Sequence, residues 1–168
     1  MKAAGHLAGG SLAGAAVAGA AGAAGAIPGA ADPLWWAVFA TTLFFALFPD
    51  VDTDSLPRRW FYRGVLAALL WLAWNGLWQM ATLLAVLSTL PLVDHHRGWT
   101  HGRLTPVLAT GALGAGCLWW RGDLASAWAT GGASIPAAHL VLLGASLAGW
   151  YTHLLLDGRF RLFPGDAR

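Results

Sequence analysis

Five apolar segments separated by short polar stretches account for most of the chain. They cover residues 3–27, 34–48, 64–93, 104–120 and 135–156. Several are long enough to cross or deeply enter a bilayer, which takes about 20 apolar residues in a helix. The pattern predicts an all-α fold in a single domain, 1–168. We expect a polytopic membrane bundle of about four to six embedded helices with a polar cluster at one face.

The third apolar segment, 64–93, is too long for one spanning helix. Thirty residues would extend about 45 Å, whereas the hydrocarbon core is about 30 Å thick. Near its middle, Asn75-Gly76 is a typical turn sequence, with tryptophans on both sides. We therefore expect two short helices, 64 to about 74 and about 78 to 93. One long tilted helix is the alternative.

The first segment consists almost wholly of alanine and glycine. Four of its glycines form two pairs spaced four residues apart, Gly5 with Gly9 and Gly10 with Gly14. Such spacing leaves one helix face without side chains and allows close approach of a neighbouring helix. The alternative is a cleaved secretory signal, which would remove His6 from the mature protein.

Composition and charge narrow the class of protein. The chain is 57% hydrophobic and 11% charged, whereas soluble domains have about a quarter of their residues charged. This indicates an integral membrane protein. The net charge of +2 is scattered, so we expect no nucleic-acid partner. Because Cys117 is the only cysteine, an internal disulfide and a cysteine-based zinc site are excluded.

The positive charges predict the orientation in the membrane. If the third segment leaves and re-enters the same face, nine of the ten Lys and Arg residues lie on one face, and Arg121 lies on the other. Positive residues are enriched on the cytoplasmic side. We therefore expect a multi-pass protein of the cell inner membrane. The opposite face would carry an aromatic belt of Trp35, Trp36, Trp119, Trp120 and Trp128.

Residues able to bind a metal ion collect at the predicted cytoplasmic face, although four distant stretches supply them. They are His6; Asp50, Asp52 and Asp54; His95, His96 and His101; and His153 with Asp157. Ionisable groups at a membrane boundary are costly, and they usually pair or serve function. Asp50 to Asp54 do not continue as an EF-hand, because serine and phenylalanine stand where that loop needs glycine and glutamate.

Two of these stretches have a spacing that suits chelation. His153 and Asp157 are four residues apart and would share a helix face, with Gly158 as the helix stop; a helix-capping ion pair is the alternative. In "HHRGWTH", Gly98 would let His96 and His101 reach one centre, while Arg97 could hold an anion. His139 lies about 21 Å along the last helix from His153, so we expect a packing role.

The ordered set "GH", "PDVD", "HRGWTH" and "HLLLD", followed by "LFP", resembles the LexA-regulated, membrane-bound metal-dependent hydrolase family. The resemblance covers most of the chain but rests on short motifs. It implies a small inner-membrane protein with a hydrolase site. The motif positions that it implies as metal ligands are His6, Asp50, Asp52, His96, His101, His153 and Asp157. Gly102 stands where the family often has serine, and the stretch after Asp157 is shorter than is usual.

Together these observations predict a hydrolase at the cytoplasmic face of the membrane. The expected cofactor is a divalent metal, zinc first, with manganese or another metal as alternative. Asp52 or Asp54 would be the general base, and Arg97 would steady a developing anion. The expected substrate is a small molecule or a lipid, such as a phosphoester at the level of the lipid headgroups. The alternatives are a metal or proton transport protein and a non-catalytic, metal-stabilised membrane protein. The oligomeric state is not predicted.

Overall fold

The computed structural model describes residues 3–52, 56–89 and 99–158, and all regular elements within these ranges are helical. The predicted all-α class is therefore confirmed for this part of the chain. Two short 3-10 helices lie at Phe48–Asp52 and Trp99–His101. The α-helices are α1 (Ala3–Ala23), α2 (Pro33–Leu47), α3 (Leu56–Trp74), α4 (Trp78–Thr89), α5 (Thr105–Trp120), α6 (Leu124–Ala129) and α7 (Ala137–Leu156).

The predicted break in the third apolar segment is confirmed. Gly76 has φ +70°, a left-handed conformation that glycine adopts without a steric penalty. The Asn75 side-chain amide donates a hydrogen bond of 2.8 Å to the Trp71 carbonyl. The chain therefore turns between α3 and α4, because the two residues supply the backbone freedom and a local hydrogen bond that closes the turn.

One helix boundary and one short helix differ from the prediction. Helix α3 begins at Leu56, eight residues before the expected start, and so includes Arg58, Arg59 and Arg63. Arginine is a good helix former, and Pro57 is tolerated in the first turn of a helix. The six-residue α6 was not predicted, because fewer than two turns give no periodic pattern to read. The predicted end of the second of the two short helices, Val93, lies outside the described residues.

The structure contains two compact units, one formed by residues 1–47 with 102–168 and the other by 48–101. In the first, α1, α2 and α7 pack against one another, and α5 packs on α7. Their core contains Ala18, Ile27, Val38 and Ala145. The Asp32 carboxylate accepts a 2.8 Å hydrogen bond from the Leu34 amide, which caps the start of α2. The second unit contains the α3–α4 hairpin.

Glycines set the closest approaches inside the first unit. A Cβ atom at Gly149 would strike the Thr42 carbonyl group and would lie 3.1 Å from the Ala46 amide nitrogen, so α7 and α2 touch backbone to backbone there. On α1, a Cβ at Gly10 would lie 2.7 Å from the Ala46 Cβ. Both contacts converge on the last turn of α2, as close packing at small residues allows.

Two helical segments are long and apolar enough to cross a membrane, Pro33–Val51 and Ala137–Leu156. They were found within the described residues by length and composition, and they include α2 and α7. Both belong to the predicted set of embedded segments. A core helix of a soluble protein would pass the same test, so the larger predicted number of spans stays a prediction.

Candidate metal centre

His6 and His153 are completely buried at one end of the first unit. His6 lies in the first turns of α1, and His153 lies in the last turn of α7, at the end where α2 also terminates. Other buried polar side chains of this unit bond locally; the Thr42 hydroxyl, for example, donates to the Val38 carbonyl at 3.0 Å. The two imidazoles are different, because they meet across two helices. Burying such groups is costly unless they gain partners.

One carboxylate faces both imidazoles. The His6 Nε2 atom lies 3.1 Å from Oδ1 of Asp157, and the His153 Nε2 atom lies 3.6 Å from Oδ2 of the same residue. The two imidazole rings stack, with centroids 4.1 Å apart and an angle of 17° between their planes. The predicted pairing of His153 and Asp157 on one helix face is confirmed. His6 joins them from the opposite end of the sequence.

A backbone carbonyl fixes which nitrogen of His153 carries a proton. The His153 Nδ1 atom lies 2.9 Å from the Ala46 carbonyl oxygen. A carbonyl oxygen can only accept, so Nδ1 is the donor. In the neutral ring, Nε2 then presents its lone pair toward Asp157. Metal-binding histidines are typically oriented in this way, with the second nitrogen donating to a carbonyl or carboxylate.

Asp157 stands at a position where a carboxylate needs positive neighbours. It caps the C-terminal end of α7, and the chain leaves the helix through Gly158, which has φ +69°, as predicted. The C-terminal end of a helix carries partial negative charge, which disfavours an anion by about 0.3–1 kcal/mol. Burial raises the pKa of Asp157, but the N-terminal amine and, after it, the His153 and His6 rings bring this pKa below its usual range.

The spacing of the donor atoms suits a metal ion. Three residues of the first unit, His6, His153 and Asp157, each offer one ligand atom, and these atoms all lie within 4.8 Å of one another. Bonds of about 2.0–2.2 Å at tetrahedral angles separate neighbouring donors by about 3.3–3.6 Å. The two imidazole–carboxylate distances of 3.1 and 3.6 Å are close to this range. The group could therefore hold a metal ion.

Repulsion between the two rings disfavours the protonation of both histidines at once. Two imidazolium rings with centroids 4.1 Å apart would repel each other by about 4 kcal/mol at the effective dielectric constant of about 20 that suits protein sites. Imidazole and carboxylate together suit zinc and other first-row metals. The residues present therefore fit the predicted cofactor class.

The first unit brings together three of the seven predicted metal ligands: His6, His153 and Asp157. Asp50 lies in the 3-10 helix Phe48–Asp52 of the second unit, and its role as a ligand stays a prediction. His101 is buried in the 3-10 helix Trp99–His101 of the second unit, where the Thr100 hydroxyl lies 3.0 Å from its Nδ1 atom. The predicted His96, His95, Asp54 and Arg97 lie outside the described residues, as does the side chain of Asp52. Their roles stay predictions. His139 is half-buried on α7 and, as expected, does not belong to the group.

The sequence gives no direct indication of two features of this centre. One is the Ala46 carbonyl, since a backbone acceptor has no residue signature. The other is the contact of Gly149 with Thr42, which positions α7 against α2. The four-residue spacing of Gly149 and His153 was visible in the sequence. The role of this spacing in placing His153 becomes visible only when the partner helix, α2, is known.

No model of a protein family, no curated protein and no solved structure matches this chain. The resemblance based on the four motifs stays a prediction.

Proposed function

We propose that this protein is a membrane-bound, metal-dependent hydrolase whose metal ion is held by His6, His153 and Asp157 of the first unit. The observation that carries the proposal is the convergence of two fully buried imidazoles on the two oxygens of one carboxylate. That arrangement supports metal binding. The hydrolytic reaction rests on the motif resemblance and on the chemistry that such a metal site can perform.

The residues of the centre have distinct parts in this proposal. The Ala46 carbonyl orients the His153 ring, and Asp157 neutralises positive charge at the end of α7. When bound, zinc lowers the pKa of a coordinated water toward about 7 and polarises the bond to be cleaved. Asp52 or Asp54 would accept a proton, and Arg97 would stabilise a developing anion. The proposed substrate is a phosphoester of a lipid or lipid-linked molecule.

The proposal includes a location in the cell inner membrane, with the centre on the cytoplasmic side. Two apolar helices, α2 and α7, support a membrane location. The orientation rests on the skewed distribution of lysine and arginine in the sequence. A centre at the ends of α2 and α7 would lie near the headgroups, where a lipid phosphoester is accessible.

Metal content tests the centre directly. Detergent-purified protein and the His153→Ala variant would be compared by elemental mass spectrometry. We expect near-stoichiometric zinc or manganese in the parent and a loss of at least about tenfold in the variant. His139→Ala is the matched control, because His139 lies on the same helix but outside the group, and it should retain the metal. If the parent protein holds no metal even after reconstitution, these residues form a helix-capping ion-pair cluster and not a metal site.

Turnover is a separate test. The metal-loaded parent would be screened against soluble and lipid phosphoesters, with His153→Ala and His139→Ala beside it. We expect hydrolysis in the parent and in His139→Ala and none in His153→Ala. Metal retention without turnover of any phosphoester would refute the proposed activity while leaving the centre itself intact, and would favour a metal-stabilised structural protein.

A further inference from the structure

Helix α1 presents a face of very small residues to its neighbours. Among its described residues, the buried ones recur at every fourth position and so lie on one side of the helix. They are His6, Gly10, Gly14 and Ala18. Of these four, His6 alone has a side chain larger than a methyl group. The two leucines of the helix, Leu7 and Leu12, face outward, with exposed fractions of 50% and 74%.

The two ends of α1 are held in different ways. At the end that leads into α2, Ala18 belongs to the apolar core, and Val17 and Ala21 pack against that core. Toward the start of the helix the contacts come from close backbone approach instead. A Cβ atom at Gly14, for example, would lie 2.9 Å from the Phe39 carbonyl oxygen. Such packing sets how near α1 lies to α2, but it inserts no side chain between them.

His6 makes the contacts that join the first turns of α1 to the end of α7. Its Nε2 atom lies 3.1 Å from Oδ1 of Asp157, and its ring stacks on that of His153. Six of the 21 residues of α1 are glycine, which is less favourable than alanine inside a helix because it loses more conformational freedom. The position of the first turns of α1 therefore depends strongly on the contacts of His6.

We propose that a metal ion bound at the centre holds the first turns of α1 against α7, so that metal occupancy controls the docking of this helix. The ligands come from two helices, so part of the free energy of metal binding becomes free energy of docking. Without the ion, the His6 end of α1 would separate from α7, while the other end would stay in the apolar core. The inference rests on the metal centre of the proposed function and concerns its assembly.

Distances between spin labels within the first unit test this docking in the full chain. Cys117, the chain's only cysteine, would be replaced by serine, and labelled cysteines would replace the exposed Leu7 on α1 and the exposed Leu108 on α5. Phe44→Cys with Leu108→Cys is the control pair, because neither position lies on α1. Pulsed electron paramagnetic resonance would be recorded in detergent with zinc and after its removal by a chelator, and the zinc content of each sample would be measured.

We expect the Leu7 pair to give one narrow distance with zinc, and a broad distribution at longer distances after chelation. The control pair should keep its distance in both samples. His6→Ala should give the broad distribution for the Leu7 pair even with zinc present, whereas His139→Ala, which alters α7 outside the centre, should behave like the parent.

Three results would overturn the proposal, and the zinc content separates them. An unchanged distance for the Leu7 pair after zinc is lost would show that α1 docks without the metal, and the centre itself would stand. An unlabelled parent that binds no zinc would refute both the centre and the metal-dependent docking. Broadening of both pairs on chelation would show a general loosening of the first unit. Leu12→Cys replaces Leu7→Cys if the label at Leu7 prevents zinc binding, and the same outcomes apply.

Discussion

Replacing Gly149 by alanine should weaken the metal centre from one helical turn away. A Cβ atom at this position would lie 2.9 Å from the Thr42 carbonyl carbon and 3.1 Å from the Ala46 amide nitrogen. Both neighbours are backbone atoms of α2 and cannot rotate aside. The strain can therefore be relieved only by moving α7 away from α2.

The size of that movement follows from ordinary contact distances. Carbon atoms pack best at about 3.5–4.0 Å, so α7 must shift by on the order of 1 Å. The hydrogen bond from His153 Nδ1 to the Ala46 carbonyl is 2.9 Å long, and the same shift takes it past the usual limit of about 3.2 Å. Overpacking costs about 1–3 kcal/mol, and losing an orienting partner typically lowers metal affinity by about 10–100-fold.

Competition with a chromophoric chelator would measure the metal affinity, and thermal unfolding in detergent would measure the stability. Gly144→Ala is the matched control, because Gly144 is exposed on the same helix and an added Cβ meets nothing within 4 Å. It should keep the parental affinity and gain up to about 1 kcal/mol from helix propensity. Equal metal affinities in the two variants would refute the idea that the glycine contact positions His153.

Two further predictions concern Asp157. Asp157→Asn should lose the metal, measured by elemental mass spectrometry, and metal retained in this variant would exclude Asp157 as a ligand. Asp123→Asn is the control and should change stability by no more than about 1 kcal/mol, because the Asp123 carboxylate pairs with the exposed Arg121. Since the pKa of Asp157 is lowered, its contribution to stability should be present above about pH 4 and disappear as pH falls through the native value. Thermal unfolding of the parent and Asp157→Asn should thus converge in acid, and a gap that persists there would contradict this linkage.

Most of the helices could be predicted because their cause is local. Apolar length defines α1, α2, α5 and α7, and the Asn75-Gly76 pair defines the turn of the hairpin. The predicted start of α3 was wrong because the arginines near Trp60 resemble a polar loop when only the sequence is considered. In fact they belong to the helix, since arginine has a high helix propensity and its long side chain can reach water from a helical position.

The metal centre was only partly predictable, for a different reason. The spacing of His153 and Asp157 is a property of one helix, and their pairing followed from it. The contact of His6 with His153 and Asp157 depends on how α1 packs against α7. The residue spacing along α7 carries no information about that packing. The order of the motifs led us to expect His6 in the metal centre. The stacking of the two buried rings and the carbonyl that orients one of them are results of tertiary structure.

Small residues and histidines are linked by helical register in this protein. His153 follows Gly149 by one turn of α7, and His6 precedes Gly10 by one turn of α1. Both glycines touch the segment of α2 that ends at Ala46. Because one turn advances about 5.4 Å, the closest backbone contacts lie just inside the centre and fix the positions from which the imidazoles project. A buried polar pair requires such rigidity, since a displacement of about 1 Å would leave its atoms beyond hydrogen-bonding distance. The alanine- and glycine-rich composition of α1 is therefore part of how the centre is built.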